Sequence, residues 1–304
     1  MQTALIKSGC LVFLIVLGNV LKQIGLFKKE DSQLLAKIML YITMPAAMVN
    51  AFRTFRPDPA LVIFFLLGIA TNAVLLFSGW VYGRKEKPLV HAMYMTCIPG
   101  FNIGSFGIPF VQTLFPAQMI ELVMFDIGNT IMNCGLNYSV ASLQLDRSRK
   151  LNVIELLKSL LKTLSRTFPF ILYLTLLTLT LLRITIPDAV YQLAEIIAGG
   201  NAVIVMLMLG IMFEVKLNPE EAREVKTMVF GRVGVQLLLT VLMLAFLPLP
   251  MEQRVIAAVA TCTPIGSMAT VFCAKMGCEQ SVYGTAASLT IPVSVVIMVL
   301  LSLI

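Results

Sequence analysis

Long stretches without charged residues dominate the hydrophobic pattern of the chain. From Pro88 to Ile120 there is no Asp, Glu, Lys or Arg. Four further stretches of the same kind are 59–83, 233–251, 255–274 and 280–304. Each approaches or exceeds the roughly 20 residues that a membrane-spanning helix needs. The pattern therefore predicts an all-α polytopic membrane protein.

Ten membrane spans follow from this pattern, with short loops between most of them. Their predicted boundaries are 4–26, 34–53, 59–83, 88–114, 118–141, 167–185, 190–213, 225–247, 251–275 and 281–304. The first span lacks a small-residue cleavage pattern, so we expect it to stay in the mature protein. The chain thus divides into a first five-helix unit, 1–145, a connector, 146–166, and a second unit, 167–304.

The connector carries Glu or Lys at intervals of three or four positions, among leucines. This spacing predicts an amphipathic helix that lies at the cytoplasmic membrane surface or extends span six inward. A solvated connector without membrane contact is the alternative interpretation.

The composition agrees with a membrane protein. The 304 residues are 58% hydrophobic and 13% charged, whereas soluble domains carry about 25% charged residues. With the N-terminus outside, 18 of the 23 Lys and Arg residues lie at inner loops and helix ends. The positive-inside rule favours that orientation, which places both termini outside. The net charge of +7 is dispersed over several loops, and no nucleic-acid partner is expected.

A repeated motif relates the two five-helix units. The sequence Thr-Cys-Ile-Pro at 96–99 recurs as Thr-Cys-Thr-Pro at 261–264, an offset of 165. The same offset superposes most of the other predicted spans. Because each unit has five spans, the second unit must enter the membrane upside down. Inverted repeats of this kind are typical of secondary transporters.

Helix-breaking residues lie in the two spans that carry this motif. Pro99, Gly107 and Pro109 in span four, and Pro264 in span nine, are expected to open both helices near the middle of the bilayer. Each freed backbone group costs several kcal/mol in hydrocarbon unless protein, water or ligand satisfies it. A binding cavity is the interpretation we favour; kinks that serve helix packing are the alternative.

These residues resemble the auxin efflux carrier family. The stretch 102–109, Asn-Ile-Gly-Ser-Phe-Gly-Ile-Pro, is similar to the fourth-helix Asn-x5-Ile-Pro pattern of that family. Residues 263–266 followed by 271–275 are similar to its ninth-helix pattern, and 40–45 to its second-helix proline region. The chain lacks a large central hydrophilic loop, so it looks like a compact prokaryotic member in the bacterial inner membrane.

The resemblance implies a fold and a mechanism. The fold is ten helices in two inverted five-helix repeats, like the sodium–bile acid symporters, with broken helices four and nine crossing. Helices one, two, six and seven would form a scaffold, and three to five with eight to ten would move as a transport domain. The implied activity is elevator-type transport by a homodimer. The implied substrates are auxin-like acids or small carboxylates such as malate and malonate.

Five residues at the two breaks are candidates for substrate binding. Asn102 matches the crossover asparagine of the family, and its amide can donate to a carboxylate. Ser105 follows it, and Thr263, Gly266 and Ser267 flank the second break, where hydroxyls and freed N–H groups suit an anion. Helix stabilisation by Asn102 and close packing of the small residues are the alternative interpretations.

Asp126 is the candidate for coupling to a proton or a sodium ion. It lies about 12 Å into span five by the helical rise, where a carboxylate is costly and points to function. Asn129 continues the same polar stripe. An internal helix–helix contact is the alternative for both residues. Plant members carry an Asp and a Lys on helix three, but 70–74 here has no ionisable residue, so their coupling mechanism does not transfer.

No enzyme, cofactor or metal signature is present in the sequence, which has no HExxH, GxSxG or Walker motif. The favoured function is therefore a secondary-active or facilitative carrier of small organic anions. A sodium-coupled organic-anion symporter, a channel and a non-transporting membrane sensor of the same fold are the alternatives.

Overall fold

A computed structural model describes residues 2–53, 55, 58–145, 154, 158, 161, 165, 168–216 and 218–304. This part of the chain is all-helical and contains no strand. Most of the predicted connector, 146–166, lies outside the described residues. Its predicted amphipathic character therefore stays a prediction.

Eight helices precede the connector. They are α1 (Gln2–Gln23), α2 (Asp31–Ile38), α3 (Met44–Phe52), α4 (Ala60–Gly83), α5 (Pro88–Cys97), α6 (Ile108–Leu114), α7 (Met119–Ile131) and α8 (Tyr138–Ser142). Seven described helices follow it. They are α9 (Phe168–Leu181), α10 (Asp188–Gly199), α11 (Asn201–Met212), α12 (Ala222–Phe246), α13 (Met251–Thr261), α14 (Ser267–Lys275) and α15 (Gln280–Leu301).

Six helical stretches are long and apolar enough to cross a membrane. They are Leu5–Gln23, Asp31–Phe52, Ala60–Gly83, Asp188–Met212, Ala222–Phe246 and Gln280–Leu301. Their outward faces are apolar: Phe77 is 64% exposed and Phe246 is 77% exposed. Large apolar side chains exposed along entire helices are rare in soluble proteins, where such patches are small. The chain is therefore an integral membrane protein.

The other four predicted spans have different forms. Spans four and nine are each two short helices separated by an irregular segment, as the prolines and glycines predict. Span six has 14 helical residues in α9. Span five, α7 with α8, widens into a π turn over Met132–Asn137.

Two further π turns are each followed by a proline. They cover Met39–Thr43, before Pro45, and Ile103–Gly107, before Pro109. Proline has no N–H to donate to the carbonyl four residues earlier, so the turn before it widens rather than closing normally. The prediction that Pro109 opens span four is wrong, because Pro109 lies in the first turn of α6, directly after the π turn. The irregular segment lies earlier, at 98–102.

The helices pack in two groups. In the first group, α1 packs along α11, and α3 packs on α9 and α10. In the second group, α4 packs on α5 and α7, and α12 packs on α4, α13 and α15. The broken spans thus belong to the second group, although α6 also contacts α1 and α11.

Glycines bring two of these helix pairs into close contact. On α4 and α7, a Cβ at Gly68 would overlap the Phe125 carbonyl, and a Cβ at Gly128 would overlap the Phe65 carbonyl. The pair α1 and α11 repeats this arrangement: Gly18 faces the carbonyl of Leu207, and Gly210 that of Ile15. Small residues of this kind let backbones approach closely inside membranes.

The order of elements repeats along the chain. The long helices α4 and α12 begin at Ala60 and Ala222, 162 residues apart, and α5 and α13 begin at Pro88 and Met251, 163 apart. The offset of 165 expected from the sequence motif is close to both values. The opposite membrane orientation of the two halves stays a prediction.

The glycine contact between α4 and α7 yields a stability prediction. We expect Gly128→Ala to lower the free energy of unfolding by about 1–3 kcal/mol, because the new methyl group overlaps the Phe65 carbonyl. Thermal unfolding of the purified protein in detergent measures this change.

The matched control is Gly234→Ala on α12, where an added Cβ meets no atom within 4 Å. Alanine is the better helix former by roughly 1 kcal/mol, so this variant should match or exceed the wild type. Equal stability of Gly128→Ala and Gly234→Ala would contradict the packing described for α4 and α7.

Candidate functional site

The irregular segments of the two broken spans cross each other in the interior of the protein. Phe101 and Ile265 form a single antiparallel β-bridge. Beside it, the Asn102 N–H donates to the Pro264 carbonyl, with an N–O distance of 3.1 Å. Each break thus satisfies part of the other, and four half-helix ends meet at this crossing.

Glycines allow the backbones to come this close. Gly100 has φ of +83°, a left-handed conformation that glycine adopts without strain. A Cβ on Gly266 would lie 3.1 Å from the carbonyl oxygen of Phe101. Gly107 packs against Thr263, whose Cγ2 would lie 3.3 Å from an added Cβ. Predicted residues Gly107 and Gly266 therefore shape the crossing itself.

Asparagine side chains satisfy the backbone of the first break. The Oδ1 of Asn72, on α4, accepts from the Gly100 N–H at 2.9 Å. Asn129, on α7, accepts from the Phe101 N–H and donates to the Phe101 carbonyl, both at 3.0 Å. Asn129 therefore pairs with Phe101 much as a neighbouring strand would. Both asparagines are buried.

The polar stripe on span five continues from Asn129 in both directions along the helix. Asn133 donates to Asn129 at 2.9 Å, and Asn137 donates to Asn133 at 3.0 Å. At the other end, Asn129 Nδ2 donates to Asp126 Oδ1 at 2.8 Å. The stripe is therefore a connected hydrogen-bond chain that ends at one carboxylate, and it orders the amide groups around the break.

Different residues satisfy the second break. The Nε2 of Gln236, on α12, donates to the carbonyls of Thr261 at 2.7 Å and Thr263 at 3.0 Å. The hydroxyl of Thr290, on α15, accepts from the Ile265 N–H at 3.2 Å. Gln236 thus satisfies backbone carbonyls of the second break, as Asn72 satisfies a backbone N–H of the first.

Arg232 is a cation buried at the crossing. Its side chain is fully buried, and its guanidinium donates to the carbonyl of Ile98 in the first break. In the second break it donates to the carbonyls of Thr263 at 3.0 Å and Pro264 at 3.2 Å. The 18 Lys and Arg residues assigned above to the inner loops and helix ends include Arg232. That assignment is wrong for Arg232, because its guanidinium lies between the two breaks.

Two cavities border the crossing. The first, of about 180 Å³, lies between the crossing, α3, α7 and α9. The second, of about 430 Å³, extends past α15 towards Lys29 and Lys216. Asn102 and Ser267 line both cavities. These two residues begin the half-helices Ile103–Leu114 and Ser267–Lys275, and no side chain caps either N-terminus.

A charged cluster marks the far end of the second cavity. Glu214 pairs with Lys216 at 2.8 Å and with Lys29. The hydrogen bond from Lys216, followed in size by the one from Lys29, lowers the pKa of Glu214 to about 2. The bond between Lys216 and Glu214 also raises the pKa of Lys216. Glu214 therefore stays ionised at neutral pH, and the cluster of two lysines and one glutamate keeps a net positive charge.

The structure brings most of the predicted site residues together. Asn102, Ser105, Gly266, Ser267, Asp126 and Asn129 all line the first cavity. Thr263 does not line either cavity: it is buried, and its hydroxyl donates to the Ala260 carbonyl at 2.9 Å. Pro99 and Pro264 lie within the irregular segments, where the absence of a proline N–H fits the interrupted helices.

Four residues whose side chains bind the two breaks were not predicted as site residues: Asn72, Arg232, Gln236 and Thr290. Asn72 and Gln236 stood out in the sequence because they lie 164 residues apart in matching spans, but whether they lined a cavity or joined helices was open. A signal for Arg232 was also available, since it directly precedes a charge-free stretch, well inside span eight.

No protein-family model matches the chain, and no curated protein matches it.

We predict different stability effects for two asparagines at the first break, Asn129 and Asn102. We expect Asn129→Ala to destabilise the protein by about 1–3 kcal/mol, because it leaves the Phe101 N–H and carbonyl unsatisfied in the interior. Thermal unfolding in detergent measures this loss.

Asn102→Ala is the matched control for this experiment. The Asn102 side chain makes no hydrogen bond to another described residue, so its loss should change the free energy of unfolding by less than about 0.5 kcal/mol. If Asn102→Ala proved the more destabilising substitution, the roles assigned to the two side chains would be wrong.

Proposed function

We propose that this protein is a secondary-active or facilitative transporter of small organic anions, of the auxin efflux carrier type. The substrate class proposed is small carboxylates such as malate and malonate, or auxin-like acids. The binding site is the crossing of the two broken spans, with Asn102, Ser105, Gly266 and Ser267 at its wall.

One observation carries this proposal: Asn102 and Ser267 line two cavities at once. A ligand held at these residues is therefore accessible from both cavities. A carrier needs such a site, because its substrate must exchange with one side and then the other. The second cavity, of about 430 Å³, lies within the range of about 300–1,000 Å³ that is typical of small-molecule pockets.

The charges around the crossing favour an anion. The uncapped N-termini of the two half-helices carry partial positive charge. The opposing half-helix C-termini, at Ile98 and Thr263, are covered by the Arg232 guanidinium. The negative ends are thus neutralised while the positive ends face the cavities. The lysine-rich cluster at the end of the second cavity attracts anions towards the site.

The division of the helices into two packing groups supports alternating access by an elevator motion. The group that contains the crossing, α4 to α8 with α12 to α15, would move against the group of α1 to α3 with α9 to α11. In this proposal the protein is a homodimer, and the two copies contact each other through the group of α1 to α3 with α9 to α11. It lies in a bacterial plasma membrane with both termini outside, as the distribution of positive charge indicates.

Asp126 favours one elaboration, coupling to a cation. Asp126 lines the first cavity beside the residues proposed to bind substrate, and its carboxylate accepts a hydrogen bond from Asn129 at 2.8 Å. A negative group close to an anion site opposes anion binding unless a proton or a metal cation neutralises it. Either ion would make substrate and ion binding interdependent, and a sodium-coupled symporter is therefore the second candidate.

The proposed substrate site is tested by Asn102→Ala. We expect this variant to lose roughly 10–100-fold in affinity for a carboxylate substrate, as is typical when a hydrogen bond to a charged group is removed. Uptake of labelled mono- and dicarboxylates into proteoliposomes measures the effect, and trans-stimulation of that uptake distinguishes a carrier from a channel.

Asn50→Ala, on α3, is the control, because Asn50 lines neither cavity. Wild-type affinity in a folded Asn102→Ala variant would remove Asn102 from the site. Ligand binding without any flux in the wild type would favour a sensor instead of a carrier.

The coupling role is tested by Asp126→Asn. We expect this neutral substitution to abolish the dependence of uptake on the pH gradient or the sodium gradient, because the amide cannot take up a proton or balance the charge of a metal ion. Initial rates are measured with each gradient imposed separately. A variant with the same gradient dependence as the wild type would assign Asp126 to structure alone.

A further inference from the structure

Arg232 has no acidic partner among the residues that the structure describes. It is fully buried on α12, about ten residues from the start of that helix. None of the carboxylates in the described residues forms an ion pair with it. Its contacts are backbone carbonyls and the face of the Phe101 ring, whose centroid lies 5.3 Å from the guanidinium carbon. A guanidinium keeps its charge in proteins, so something else must stabilise this charge.

The compensating charge comes from the ends of two helices. The carbonyls of Ile98, Thr263 and Pro264 follow the C-termini of α5 and α13. Helix C-termini carry a partial negative charge of about half an elementary charge each. Two such ends facing one point repel each other, and together they approximately balance one cation. Arg232 supplies that cation and also donates hydrogen bonds to the carbonyls.

We propose that Arg232 is a built-in counter-cation, and that the three carbonyls it covers form a latent site for a monovalent cation such as sodium. Sodium binds oxygen ligands, and unwound carbonyls at half-helix C-termini are the groups that hold coupling cations in transporters with broken helices. In this chain the guanidinium occupies that position permanently. If the proposed transport function is correct, the crossing needs no sodium ion to hold it together.

The test removes the charge and supplies it again from solution. Arg232→Met keeps the length of the side chain but not its charge or its donors. We expect its unfolding temperature to fall by roughly 5–10 °C. Millimolar guanidinium chloride or sodium chloride should restore part of that loss, compared with choline chloride at equal ionic strength. The wild type should show no such preference among the three salts.

Two further variants separate charge from packing. Arg232→Lys keeps the charge and should unfold close to the wild type, whereas Arg232→Gln keeps a hydrogen-bond donor without the charge and should behave as Arg232→Met does. Arg223→Met is the matched control, since Arg223 lies on the same helix but is exposed and pairs with Glu86 at 2.7 Å. It should show no response specific to any cation.

The proposal fails if Arg232→Met is as stable as the wild type, if no added cation stabilises it, or if Arg232→Lys is no better than Arg232→Gln. Recovery of folded Arg232→Lys but not of the neutral variants supports it, and loss of all three variants overturns it, because charge alone would then be insufficient. Since no flux is measured, an absence of carboxylate uptake would remove the proposed transport function and leave this result unaffected.

Discussion

The structure depends on satisfying backbone groups that two interrupted helices leave free inside a membrane. Water is scarce at that depth, and each free N–H or carbonyl is costly. The protein meets this demand mainly with side chains from neighbouring intact helices. Asn72 and Asn129 bind the first break, and Gln236, Thr290 and Arg232 bind the second. The breaks then complete each other through the contact of Asn102 with Pro264.

This arrangement also explains why some polar groups remain available. Backbone groups occupy the side chains of Asn129 and Thr263 through hydrogen bonds. By contrast, both cavities are lined by Asn102 and Ser267. The side chains that hold the crossing and those that can bind a ligand therefore lie around the same crossing but serve different purposes. Close glycine packing of α4 on α7 brings Asn72 Nδ2 within 3.2 Å of Asn129 Oδ1. The hydrogen bonds that these two asparagines make to the first break therefore depend on the packing of this helix pair.

The six long apolar helices and the two breaks were predictable from the sequence, because both follow from local properties. Charge-free stretches set the spans, and Pro99 and Pro264 mark the irregular segments. Pro109 misled the prediction, since a proline in the first turn of a helix does not interrupt it. Arg232 was missed, because a count of charges treats a basic residue in the first turns of a span as interfacial even when, as here, it lies inside the span. Its actual position depends on carbonyls from two distant segments, 31–32 and 134 residues away in the chain.

The source of the side chains that satisfy each break has a consequence for biosynthesis. The N–H groups of Gly100 and Phe101 bind Asn72 and Asn129, which belong to the same half of the chain. Thr261 and Ile265 are likewise bound by Gln236 and Thr290 of their own half. The emerging first half therefore carries these partners for its own interrupted helix before the ribosome has made the second. Two groups of the first break must wait for the second half of the polypeptide. The carbonyl of Ile98 waits for its donor, Arg232, which is translated 134 codons later, and the Asn102 N–H waits for the carbonyl of Pro264.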